Sequence, residues 1–496
     1  MKNTRIVLVL VLFVLIFSFV PQEAIAQNSV QVCGPSAEVS TLLTKITNVS
    51  VDKLIRDFSG ANQVMINGTY RTILTRYSSQ LFSSNPNAMA YDYLHQELLK
   101  LGYVDGLSLT DHVYTTSYHQ TGVMEAKEIT ENPDGTYKMI TTTIDQDEFF
   151  FQSDQPEQLA TWKNKVVTIP GHGPNADKFV LMTAHMDSTS GSPNTLAPGA
   201  EDNASGIAAL MEAARLLRNY EFDYTIKLIF FTGEEQGLWG SEEYVADHPA
   251  EMSKIRGVVN LDMFGYDNDK DMCIEMHVGT MANSNAVGTC FTEVNTLYNL
   301  GLTYDYLTDR AIRASDHASF WDAGVGAIEI LENYQTDQGY GCGGRTDENP
   351  HYHKTTDTID KMYLPATVAT VKAGVGTVAS LAKPLGSCFG GDPVVTIKAQ
   401  TDSILLTWPE LPGADVYNIY RGTSTCLGTM TQIAQISANS FVDTDILFDR
   451  NYFYKVEAAE TGGVCYSQLS GCAVAKVPTP PEPAILIYIP LVTVGE

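Results

Sequence analysis

Positive charge is scarce in this 496-residue sequence: 31 lysines and arginines face 58 aspartates and glutamates, for a net charge of −27. Phosphate would repel so acidic a chain, which argues against nucleic acid or an anionic membrane surface as a partner. Cysteine is sparse in the arrangement that matters for metals. The eight cysteines include no pair spaced as Cys-x-x-Cys and no cysteine–histidine cluster, so nothing suggests a thiolate-bound metal. Long apolar runs are missing too. Beyond the first 26 residues none is long enough to cross a bilayer, and no stable membrane span is expected in the mature chain.

Those first 26 residues, "MKNTRIVLVLVLFVLIFSFVPQEAIA", place Lys2 and Arg5 before an apolar run that ends in Ala-Ile-Ala. This is the pattern of a secretory signal peptide, so an extracellular or cell-surface location is expected. Export permits disulfides. Proximity in sequence suggests Cys273 with Cys290, and Cys426 with Cys465 or Cys472. Residues 27 to about 40 read as a short propeptide ahead of the first helix.

At this length two or more units are expected. Residues 40–102 have helical spacing of apolar positions. A different rhythm follows, in which "KFVLMTAHMD", "TIKLIFFTGEE", "RGVVNLDMFG" and "GVGAIEILE" are apolar runs of strand length. "SGIAALMEAARLLRNY" between them is helical, with Ile207, Leu210, Ala214 and Leu217 on one face. Strands alternating with helices predict an α/β domain over 27–388, a mixed and mainly parallel sheet between helices. Ligands bind such sheets beyond the carboxyl ends of the strands. Residues 394–477 alternate short strands and turns without a helix, as in a small β-sandwich, with Trp408, Tyr417, Tyr420, Tyr452 and Tyr454 expected in its core. Residues 478–496 form a Pro-rich linker and a short apolar tail.

The strand ends carry the chemistry. His185 and Asp187 close the first apolar run, Glu234 and Glu235 the second, and Asp262 the third. Asp202 lies in the glycine-flanked "APGAEDNASG", and His351 and His353 in "NPHYHKTTDT". Each has an ordinary reading: a solvated loop histidine, or an N-cap for Asp202, Asn203 or Glu234. Their coincidence at one sheet edge outweighs these, because so many unpaired carboxylates together would be costly. Divalent cations remove that cost, and imidazole with carboxylate suits zinc, or less well manganese or cobalt. Asp202 could bridge two such ions. His185 with Asp262, and Glu235 with His353, would complete the two sites, leaving Glu234 as a general base.

"AHMDS", "PGAEDNASG", "TGEEQGLWGS", "NLDMFGYD" and "HKTTDT", in this order, resemble the signature of the secreted bacterial leucyl aminopeptidase type of di-zinc peptidase. "TNVSVDKL", "TRYSS", "YDYLHQELLKLGY" and "SDHASFWDAG" extend the match over about residues 40–385. The resemblance implies a zinc exopeptidase fold holding two Zn2+. Its metal ligands would be His185, Asp202, Glu235, Asp262 and His353, with Glu234 as base and Asp187 orienting His185. Peptides with a free amino terminus are the implied substrates. Met263, Phe264, Ile312, Phe320, Tyr340 and Tyr352 are the expected walls of an apolar pocket. Relatives that cleave acidic dipeptides carry extra pocket arginines, and Arg310, Arg313 and Arg345 keep that reading open. Glutaminyl cyclases, which share the fold and keep a single zinc, and non-catalytic metal-binding relatives complete the range of activities the resemblance allows. The C-terminal sandwich resembles a fibronectin type III module, serving either for adhesion to a polymer, protein or cell surface or as a spacer trimmed in maturation.

Overall fold

The structure, a computed structural model, describes residues 32–78, 87–116, 123–131, 137–145, 160–334, 341–343, 346–426, 430–461 and 465–479. The signal peptide, Tyr340, Arg345 and the apolar tail fall outside them.

Eight strands make the main sheet: β1 Leu109–Thr116, β2 Ala160–Ile169, β3 Phe179–His185, β4 Thr225–Phe231, β5 Ile255–Leu261, β6 Cys273–His277, β7 Thr303–Leu307 and β8 Ala327–Glu332. Their spatial order is β7-β6-β8-β5-β3-β4-β2-β1. The central strands β8, β5, β3 and β4 run parallel. Antiparallel pairing enters on both sides of them, at β8–β6 and at β4–β2 and β2–β1. The parallel strands are apolar almost throughout because helices cover both of their faces. "GVGAIEILE" and the three runs before it are all strands of this sheet, so the α/β architecture read from the sequence holds.

Several local expectations change. Residues 40–102 are not helical throughout: helices Asn48–Phe58 and Ala88–Lys100 flank a hairpin of Val64–Ile66 and Thr69–Arg71. Its turn is Asn67-Gly68, both with positive φ, the dipeptide that favours a tight hairpin. Helix Ala204–Leu217 is buried almost all round and not on one face. The expectation that no later segment could span a bilayer has one exception among the described residues. Leu364–Ala382 is long and apolar enough to do so, but 78% of that stretch is buried inside the protein, where it acts as a core helix.

The disulfides are Cys33–Cys290, Cys273–Cys342, Cys388–Cys465 and Cys426–Cys472. Cys426–Cys472 is one of the two pairings that proximity suggests for Cys426. The expected Cys273–Cys290 pair is replaced because β6 pairs its start with the loop after residue 341.

After residue 394, three strands (Thr396–Ala399, Ile404–Thr407, Ser440–Asp443) and four strands (Val416–Gly422, Thr431–Ile436, Asn451–Ala459, Ala473–Lys476) form two antiparallel sheets. Trp408, Tyr417, Tyr452 and Tyr454 are buried between them. Tyr420 is not in that core. It is half-buried on the other face and bonds Glu457.

Glu457 belongs to a clamp between this sandwich and the end of helix Ala204–Leu217. Arg218 pairs with Glu457 and donates to the Leu101 carbonyl, and its guanidinium lies 4.1 Å from the centre of the Tyr466 ring. Asn219 donates to the Tyr466 and Ser467 carbonyls at 3.1 and 3.0 Å, and the Cys388–Cys465 disulfide crosses alongside. The side chains of Arg218 and Glu457 are only 11% and 2% exposed, so removing one leaves the other's charge buried. Arg218→Ala is therefore expected to cost about 3 kcal/mol in denaturant unfolding. A loss under about 1 kcal/mol, the value of a surface pair, would mean that the clamp contributes little.

Candidate metal centre

The carboxyl ends of β3, β4 and β5 and two loops converge on one site. β3 ends at His185, β4 at Phe231 just before Glu234 and Glu235, and β5 at Leu261 just before Asp262. Gly233 makes the turn into the Glu pair with φ +77, and a Cβ there would meet the Trp162 ring at 2.6 Å. Only glycine suits both conditions. In the loop before helix Ala204–Leu217, Asn203 and not Asp202 is the N-cap, accepting from Gly206 N at 2.8 Å. That leaves the Asp202 carboxylate to the site.

Asp202 lies between two histidines. Its Oδ1 is 3.1 Å from His185 Nε2 and its Oδ2 is 3.2 Å from His353 Nε2. His185 Nε2 is also 3.0 Å from Asp262 Oδ1 and 3.9 Å from Glu234 Oε2. His353 Nε2 is 3.0 Å from Glu235 Oε2. Two half-sites therefore share one carboxylate: His185, Asp262 and Asp202 on one side, and His353, Glu235 and Asp202 on the other. On the far edge of the His185 ring, Nδ1 lies 3.2 Å from the Asp187 carbonyl and 3.7 Å from its carboxylate. Donation from Nδ1 to that carbonyl turns Nε2 toward the carboxylates.

The electrostatics fit this geometry. Burial disfavours a charged His185, but Asp262 and Glu234 outweigh it and hold the imidazole well above its ordinary pKa. Burial also works against charge on His353, yet Glu235 and Asp202 push it up to about 10. Burial, with Asp262 and Glu235 nearby, raises the Glu234 carboxyl well above its usual range. Glu235 is raised by burial and Asp202. For Asp202 the two imidazoles outweigh burial and hold its carboxyl low.

These residues fit divalent cations. Glu235 Oε1 is buried and has no hydrogen-bond partner, so a donor oxygen is left over, and the donor set is carboxylate and imidazole without thiolate. Ligand atoms of His185, Asp202 and Glu235 lie within 4.8 Å of one another. Asp267, Asp269, Asp271 and Asp347 also gather within that distance, but backbone amides occupy several of those carboxylates.

The expected pocket walls divide. Tyr352 is 36% exposed and stacks on the His353 ring at 3.7 Å. Met263, beside Asp262, has φ +34 and is 8% exposed, and Ile312 is half-buried in the loop before Ser315. Phe264 and Phe320 are not walls: both are buried in hydrophobic cores, where the sheet's helices cover them. Arg313 is engaged by Asp322 at 2.6 Å. His351 bonds Thr356 at 2.9 Å, away from the ligand atoms.

Other residues that organise the site have no role that sequence reasoning assigns. Ser315 donates to Asp262 Oδ2 at 2.6 Å. Asp357 accepts from Glu201 N and Asp202 N at 3.0 and 3.1 Å. The buried Arg76 donates to the carbonyls of Phe58, Met186, Pro198 and Gly199 at 2.7–2.9 Å. All of them lie in stretches that carry the family resemblance, "SDHASFWDAG", "HKTTDT" and "TRYSS", so the signal is there without the geometry.

Comparison with known proteins supplies independent information. Residues 164–378 match the model of peptidase family M28. Leucine aminopeptidase 1 of Arthroderma otae is 28% identical over 324 residues, covering 57% of this chain and 83% of that protein. Aminopeptidase YwaD of Bacillus subtilis is 34% identical over 185 residues, 37% of this chain and 36% of that protein, so the chain spans about a third of its length. The solved structure of BSAP, described as a zinc aminopeptidase from Bacillus subtilis, overlays with a TM-score of 0.47 at 19% identity, covering 68% of this chain and 96% of that one.

The His353 pKa sets a pH dependence. A histidine raised from 6.5 to about 10 contributes stability that is fully present below pH 6.5 and lost as pH rises through 10. Chelator-treated protein should therefore lose thermal stability between those limits. Metal-loaded protein should not, since its imidazoles are already neutral ligands. Parallel melting curves across that range test this, and a flat profile for the chelated protein would contradict it.

Proposed function

We propose, from the match of residues 164–378 to peptidase family M28, that this chain is a secreted aminopeptidase that removes amino-terminal residues with two zinc ions. The observation that carries this reading is the Asp202 carboxylate placed between His185 and His353, with Glu234 beside them. His185, Asp262 and Asp202 would hold one ion, and His353, Glu235 and Asp202 the other. Bound zinc supplies a Lewis acid that polarises the scissile carbonyl and lowers the pKa of a water towards about 7.

The rest of the chemistry belongs to side chains. Glu234 is not needed to complete either half-site, and its raised pKa suits a group that takes a proton and gives it back. It would accept the proton of the attacking water and pass it to the leaving amine. The Asp187 carbonyl, 3.2 Å from Nδ1, would fix the orientation of His185, with the Asp187 carboxylate 3.7 Å away adding negative charge. Acidic surroundings attract a cationic substrate amine, which supports specificity for unblocked ends. Tyr352, exposed and stacked on His353, offers apolar surface beside the site, which favours an apolar first residue. Arg313 forms an exposed surface pair with Asp322.

The decisive assay uses leucine p-nitroanilide and its N-acetylated form. Activity on the free amine alone, abolished by chelation and restored with about two zinc per chain, is expected. Glu234→Gln should retain zinc and lose roughly 10²–10⁴-fold in kcat. Cleavage of neither substrate by fully metallated protein would remove the reading.

A further inference from the structure

Beside the shared Asp202 lies a second fully buried carboxylate that touches no ligand atom of the site, Glu201. Its Oε1 accepts the backbone amides of Gly265 and Tyr266 at 3.0 and 2.6 Å, in the turn that follows Asp262. Its Oε2 accepts Nδ2 of Asn349, in the loop that carries His353. One side chain thus joins three segments that supply ligand residues: its own, which carries Asp202, that of Asp262, and that of His353. Asn349 is buried as well, and its orientation is fixed because its Oδ1 accepts His351 N at 2.8 Å.

We propose that Glu201 is a positioning residue that, through Asn349, holds His353 at the distance from Asp202 that the second metal position needs. The strand ends place His185, Glu235 and Asp262 directly. His353 is different. It lies in a loop with φ +53 and a side chain 39% exposed, so its placement depends on how that loop is tied down. The link is sensitive to a single atom. In Glu201→Gln, the oxygen is required opposite the Gly265 and Tyr266 amides, which leaves an NH2 facing the NH2 of Asn349. Flipping Asn349 does not relieve this, because its NH2 would then face the His351 amide. Glu332, which also shares a hydrogen bond with Glu201, can take one N–H of the introduced amide, but every arrangement of the two amides still sets an NH2 against another N–H group.

This inference rests on the two-zinc reading above, and a reciprocal exchange tests it. Glu201→Gln should weaken zinc at one of the two sites by about 10–100-fold and leave the other within about threefold, the usual cost of losing a partner behind a ligand. Asn349→Asp alone should do the same, because it sets two carboxylates face to face. The double variant Glu201→Gln/Asn349→Asp restores a donor–acceptor pair. Its introduced carboxylate accepts both from the introduced amide and from His351 N, and the second zinc should be recovered. Zinc per chain after equilibration with a graded chelator series, and the visible absorption of cobalt-substituted protein per equivalent added, are the readouts. Circular dichroism of the metal-free variants checks that they fold.

Single variants that keep both zinc ions at wild-type affinity, or a double variant no better than the singles, would overturn the proposal. Equal loss of both ions would do so as well, since it would point to a general structural role. Wild-type protein that takes up a single zinc would remove the two-zinc reading itself, and this inference with it, a result distinct from the others.

Discussion

Repulsion among buried carboxylates is the constraint around which this protein is organised. Asp202, Glu234, Glu235 and Asp262 meet within a few ångströms of two histidines, and Asp187, Asp316, Glu201 and Asp357 lie behind them at low exposure. Such a group is unfavourable unless each charge is neutralised or paired. The structure does this in several ways. Imidazoles face Asp202, Asp262 and Glu235. Backbone amides face Glu201 and Asp357. Burial and neighbouring acids hold the Glu329 and Glu332 carboxyls well above the usual range, which lowers the cost of their burial. Arg76 adds a buried cation whose own hydrogen bonds all go to carbonyls.

Holding like charges together requires a frame that does not relax. Parallel strands buried on both faces supply three of the segments that meet at the site, and their ends cannot move apart without breaking the sheet. Helix Ala204–Leu217 extends this frame. Its first turn, capped by Asn203, fixes the Asp202 loop, and the residues just past its last turn, Arg218 and Asn219, are clamped by the C-terminal sandwich. The same helix is therefore restrained at both ends, once by the site and once by the sandwich. A module that sequence alone presents as adhesive or as a trimmed spacer also contributes contacts to this helix.

Much of this is legible in the sequence, for a physical reason. Central parallel strands are continuous apolar runs, so "KFVLMTAH" and "TIKLIFF" announce themselves, and residues at their ends must share one edge of the sheet. That places His185, Glu234, Glu235 and Asp262 together before any coordinates. What cannot be read are pairings that depend on the tertiary path. Cys273 bonds Cys342, and Cys33 reaches Cys290 across 257 residues. Phe264 and Phe320 look like pocket walls because they neighbour site residues in sequence. The fold instead buries both in hydrophobic cores, Phe320 from the helix His317–Asp322, while Met263 and Tyr352 remain next to Asp262 and His353. Glu201 escapes notice for a related reason: next to Asp202 it looks like one more acid, and only the fold shows which amides it receives.

The two half-sites are not equivalent, and the difference follows from how each is built. The His185 half is made from strand ends, and its imidazole is 1% exposed. The His353 half depends on a loop, and its imidazole is 39% exposed under the stacked ring of Tyr352. The His353 imidazole is thus open to solvent where the His185 imidazole is not, and the difference between the two halves is that between a tied loop and rigid strand ends.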